Sequence, residues 1–128
     1  MPMDYRIDED RNVVLMRGWG RLVNEEMVDC IARLRADERL KPGMNTLSDM
    51  RDVTDMAIDI EGITATDKVM VETRERRGAA RIAIIVKDLP DEMMAKLLDA
   101  STHTDSPGLE IRPFEIVDEA EAWLGIQS

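Results

Sequence analysis

The chain has 128 residues and a mass of 14.5 kDa, the size of one domain with one core, so residues 1–128 read as a single domain. Apolar residues make up 44% and charged residues 34%, a balance that collapses yet stays soluble and excludes a disordered chain. The net charge of −10 argues against a nucleic-acid partner, and a single cysteine excludes a disulfide framework or a multi-cysteine metal site.

The first ten residues, MPMDYRIDED, carry five charges where a secretory signal needs an apolar run. The longest strongly apolar run, Ile82 to Val86, falls far short of the ~20 residues that span a bilayer. A cytoplasmic protein without a transmembrane segment is expected, with Cys30 an inert, partly buried thiol.

Met3, Tyr5 and Ile7 alternate with Asp4, Arg6 and Asp8, which predicts a half-exposed edge strand. A polar turn over Glu9–Asn12 leads into a second strand at Val13–Met16, ended by Gly18-Trp19-Gly20. Asn24 is the expected N-cap of a helix reaching about Asp37, with Met27, Ile31 and Leu34 inward. Pro42 and Gly43 break the chain before a short strand at Thr46–Met50. A second helix is predicted over Asp59–Arg77, with a stripe of Ile60, Ile63, Thr66, Val69, Met70 and Thr73 and a stop at Gly78.

Arg81–Val86 reads as the central strand. A third helix begins near Asp88-Leu89-Pro90, with Met94, Leu97, Leu98 and Ser101 inward. Leu109–Ile116 is a last edge strand. Its apolar phase shifts at Pro113, which predicts a bulge there. Asp118–Leu124 closes as a short helix with Ala120, Trp123 and Leu124 inward. The order β-β-α-β-α-β-α-β-α implies an α/β domain. Its mixed five-stranded sheet opens with an antiparallel hairpin and continues in right-handed β-α units with helices mainly on one face.

Three stretches carry a family resemblance. Val13 to Gly18 with the following helix, Leu47 to Asp55, and Phe114 to Leu124 with its D-x-A-x-x-W-L pattern stand in the order and spacing of a STAS domain. The chain resembles the SpoIIAA-like fold and is similar to bacterial stand-alone STAS/SEC14-like proteins. The resemblance implies a non-enzymatic regulatory or protein-interaction module. A carrier or sensor of a small apolar ligand or lipid is the alternative it leaves. Phospho-switched STAS proteins carry an Asp-Ser-Ser-Gly-type turn at the second helix. Here the stretch Asp55–Gly62 has no serine, so the switch does not carry over, and Thr54 and Thr64 are poor substitutes.

Ligands of open parallel sheets favour the carboxyl ends of strands. That edge holds Trp19, Asp49, Arg51, Asp52, Thr54 and Asp55, with Lys87 and Asp88 nearby, and forms the candidate ligand or partner surface. Asp49, Asp52, Asp55 and Asp59 match no standard calcium loop; turn chemistry, with Arg51 neutralising a neighbour, is the simpler reading. His103, next to no obvious second ligand, reads as a helix-end or surface residue. Arg74, Arg76, Arg77 and Arg81 offset the negative end of the second helix. The ten methionines point to a methionine-packed core in a chain with few aromatics. No nucleophile elbow, phosphate loop, metal motif or cofactor motif appears. Apolar residues facing both ways on the second strand predict that the face without the main helices is covered by a second copy in a homodimer.

Overall fold

The computed structural model describes residues 3–73, 78, 80–87 and 109–126. The predicted third helix, His103, Asp88 and the arginines at 74, 76 and 77 lie outside the described residues. Five strands form one sheet in sequence order: β1 (Met3–Asp8), β2 (Val13–Val23), β3 (Asn45–Ala57), β4 (Ala80–Ile85) and β5 (Leu109–Phe114). The β1–β2 pair is antiparallel and every later pair is parallel. The helices are α1 (Asn24–Ala36), α2 (Ile60–Glu72) and α3 (Val117–Leu124). The central strand is therefore β3, not the Arg81–Val86 segment; apolar density marked β4 as deeply covered but carried no information about its neighbours.

One face of the sheet holds the larger core. Met3 and Ile7 of β1, Val14, Met16 and Leu22 of β2, and Met50 of β3 pack with Cys30 and Leu34 of α1. Met3, Met16, Met44, Met50 and Met70 are all buried, so methionine supplies much of the packing that aromatics supply elsewhere. Burial pushes the Cys30 thiol up to about 11, far from the thiolate range a reactive cysteine needs. α1 packs on α2, and there Arg35 is buried, its guanidinium donating to the Thr73 carbonyl and hydroxyl oxygens at 3.4 and 3.2 Å. Desolvation lowers its pKa to about 10, so the group stays charged at neutral pH. The helical stripe did not foresee this arginine.

The other face carries a second core of Ala83, Ile85, Ala120 and Leu124, with Leu47, Phe114 and Trp123 against it. α3 thus crosses to the side opposite α1. Two side-chain donors fix its end: Asn45 Nδ2 reaches the Leu124 carbonyl at 3.0 Å and Arg81 Nη1 the Trp123 carbonyl at 2.7 Å. A fully bare face, the premise of the homodimer expectation, is therefore absent over β4 and β5. Among the described residues, α3 packs on β3, β4 and β5, and Val13 of β2, on the same face, is fully buried.

Four local expectations fail, each for a tertiary reason. β2 runs on to Val23 instead of ending at Gly18-Trp19-Gly20. Gly18 is a close approach rather than a stop, since a Cβ there would lie 2.7 Å from the Met50 sulfur. Gly20 takes a positive φ of 63° within the strand. β3 runs from Asn45 to Ala57, well past the short strand expected at Thr46–Met50. β5 pairs with β4 without a register shift through Pro113, which an edge strand tolerates, and Ile116 lies beyond the strand, exposed. Ile60, placed on the inner stripe of α2, is 78% exposed.

Candidate functional site

The site is built by the difference in strand lengths. β1 covers β2 only from Val13 to Gly18, and β4 covers β3 only from Thr46 to Asp49. Beyond them β2 and β3 continue as a two-stranded parallel ribbon, Trp19–Val23 against Asp52–Ala57. Five residues of strand extend it by about 15 Å.

Two register shifts shape the ribbon, between Arg17 and Trp19 and between Gly20 and Arg21. In each, β3 carries one more residue than β2, the signature of a bulge. On a regular strand Asp49, Asp52 and Asp55, three apart, would alternate between faces. The two extra residues absorb the mismatch. Asp49 comes opposite Arg17, Asp52 opposite Trp19 and Asp55 opposite Arg21. Met50 and Val53 meanwhile keep to the main core.

The result is a ladder of ion pairs. Arg51 grips Asp49 with Nε at 2.9 Å and Nη2 at 2.7 Å, and its backbone N–H donates to the same carboxylate at 3.1 Å. Arg17 Nη2 donates to Asp52 at 2.9 Å while its guanidinium lies 5.4 Å from the Trp19 ring centre. Arg21 reaches Asp55 at 3.5 Å. The Arg51 guanidinium holds the Asp49 carboxyl below its ordinary value. Thr54 is exposed on the bulged strand, and Lys87 is exposed at the end of β4.

The six residues expected at this edge are thus brought into one region. Sequence reading missed Arg17 and Arg21, which complete the pairs. Their odd positions, in step with Trp19 and out of step with buried Met16 and Leu22, were the available signal once β2 is known to continue. Among the described residues, no group of three or more His, Cys, Asp or Glu side chains is placed to hold a metal ion.

The ribbon ends where α1 and α2 begin, and a second network joins them. Asn24 does not cap α1, whose N-cap is Val23 with no side-chain bond. Its amide instead donates to Asp59 Oδ1 at 2.7 Å and its oxygen accepts the Asp59 N–H at 3.1 Å. Asp59 Oδ1 also accepts the Glu61 and Gly62 N–H groups at 3.0 and 3.3 Å, capping α2. These donors, the Asn24 amide first, lower the Asp59 carboxyl.

Two more carboxylates elsewhere are held low in the same way. Arg39, helped by the Tyr5 hydroxyl at 2.8 Å, lowers Asp37, and Arg11 lowers Asp8. A carboxyl depressed in the folded state contributes stability that is present above its unfolded value and lost as pH falls through the folded one. The urea midpoint is therefore expected to hold from about pH 7 to 5 and to fall below about pH 4. A midpoint that rises on acidification below that point would contradict these pairings.

No family model matches the chain, and no curated protein does. A solved structure is similar over nearly its whole length: an uncharacterised protein of the DUF3478 family with a SpoIIAA-like fold, from Shewanella loihica PV-4. It is 18% identical, with a TM-score of 0.65, over 95% of this chain and 93% of that one. The fold is SpoIIAA-like, as the motif order implied. No described helix is long and apolar enough to cross a membrane.

Proposed function

We propose that the chain is a non-enzymatic protein-interaction module acting through the face of the β2–β3 ribbon. The observation that carries this reading is the ladder itself. Trp19 stands among three arginines and three aspartates paired on the surface, a composition that suits protein recognition. It suits proton transfer poorly. A general acid or base works best with a pKa near the working pH, and Arg51 moves Asp49 the other way.

The module works without a phospho-switch in its second-helix loop. No serine lies between Asp55 and Gly62. The N–H groups at the start of α2, which a phosphate would use, already serve the Asp59 carboxylate.

Site-specific photo-crosslinking in the native host tests the surface. A photoreactive residue at Thr54 is expected to give protein adducts that the same residue at exposed Lys41 does not. No adduct from Thr54 would remove the interaction reading. Native mass spectrometry that finds a retained apolar molecule would favour the carrier instead.

A further inference from the structure

We propose that the partner of the ribbon is a second copy of this chain, docked face to face about a two-fold axis that runs parallel to β2 and β3 between them. This rests on the interaction reading above and names its partner.

The charge pattern selects both the partner and the axis. Along the ribbon and at its base, β2 presents Arg17 and Arg21, and β3 presents Asp49, Asp52 and Asp55 with Arg51 bound to Asp49. β2 is basic, and β3, with three aspartates to one arginine, is acidic on balance. A two-fold axis across the strands would lay β2 of one copy on β2 of the other, arginine on arginine. An axis along the strands exchanges the rows, so the basic strand of each copy lies over the acidic strand of its partner. Position along the ribbon is kept, and Arg17 and Arg21 meet the partner's aspartate row. An isologous contact of this kind is self-complementary.

Net charge points to the same place. Two chains of net charge −10 repel one another over most approaches. On the ribbon, Arg17, Arg21 and Arg51 balance Asp49, Asp52 and Asp55, so two copies can meet there without that penalty. The pairs are solvent-exposed, with both side chains of the Arg17–Asp52 pair 61% exposed, so they can exchange partners at little cost.

Leu15, half-buried, lies on the same side of β2 as Arg17 and Trp19, while α3 packs on β3, β4 and β5. Leu15 and Trp19 supply the apolar centre that a charged rim alone lacks. Edge-to-edge pairing is the less suitable mode, because the two bulges of β3 interrupt its ladder.

Sedimentation equilibrium tests the proposal. The wild-type chain at about 100 μM is expected to reach twice its monomer mass, with association weakening as salt rises. Arg17→Asp with Arg21→Asp makes both rows acidic, and Asp52→Arg with Asp55→Arg makes both basic. Each double variant alone is expected to associate at least about tenfold more weakly. An equal mixture of the two is expected to recover the dimer, which a merely structural role for these residues would not produce.

A wild-type monomer at that concentration overturns the proposal, as does a variant that dimerises unchanged or a mixture that stays monomeric. Should a variant not fold, wild-type association that is insensitive to salt is sufficient to overturn it. Adducts from Thr54 to other proteins only would leave the interaction reading standing and remove the second copy. No protein adduct at all would remove both.

Discussion

Trp123→Ala is expected to destabilise the domain by about 2–4 kcal/mol, in the lower part of the range for truncating a large aromatic because the ring is half-buried. The ring lies 5.6 Å from Phe114, centre to centre, tilted by 47°, and the Arg81 guanidinium lies 5.2 Å from its centre. α3 has eight residues and cannot form alone, so its docking contacts are its stability. Trp123, Leu124 and Ala120 supply them, and two chain-end bonds, Gly125 N–H to the Ala122 carbonyl and Ile126 N–H to the Glu121 carbonyl, close the helix. Urea unfolding should show a lower midpoint, and hydrogen exchange should show α3 opening first. A midpoint equal to wild type would mean that Leu124 and the Asn45 and Arg81 bonds hold the helix without the ring.

The second large effect concerns Gly62, where the usual helix rule should reverse. Alanine in place of a helical glycine ordinarily stabilises by about 0.5–1 kcal/mol. Gly62 is buried beside Asn24, and a Cβ there would overlap the Asn24 side chain, including its amide oxygen. Gly62→Ala should therefore eject Asn24 from its two bonds with Asp59 and destabilise by about 1–3 kcal/mol. The double-mutant cycle gives the sharper test. Asn24→Ala clears the space, so in that background Gly62→Ala should be neutral or stabilising. A substitution that costs the same in both backgrounds would mean that Asn24 is not what excludes the methyl group.

These two sites mark the boundary between what sequence encodes locally and what it does not. α3 was legible in composition: Ala120, Trp123 and Leu124 fall on one side of a short helix, and all three pack inward. The face of the sheet it would choose was not, because a helix stripe is the same whichever side it meets. Asn24 was expected as the N-cap of α1, but its side chain caps nothing there. Its actual partner lies 35 residues away, reached only because α1 and α2 start side by side.

The ribbon makes the same point at the candidate site. Sequence alone determined the β1 alternation, the hairpin, the inner positions of α1 and the motif order of a SpoIIAA-like fold. It also placed Trp19, Asp49, Arg51, Asp52, Thr54 and Asp55 at one edge of the sheet. Those features depend on residue periodicity and on the order of elements, both of which are local. Tertiary structure alone decided that Gly18 lies inside a strand, that β3 extends to Ala57, and that carboxylates spaced by three line up opposite Arg17, Trp19 and Arg21. A glycine that ends a strand and one that admits a neighbouring sulfur look identical in sequence. A bulge is defined only by counting residues against a partner strand, so its position exists in the pairing and not in either strand by itself.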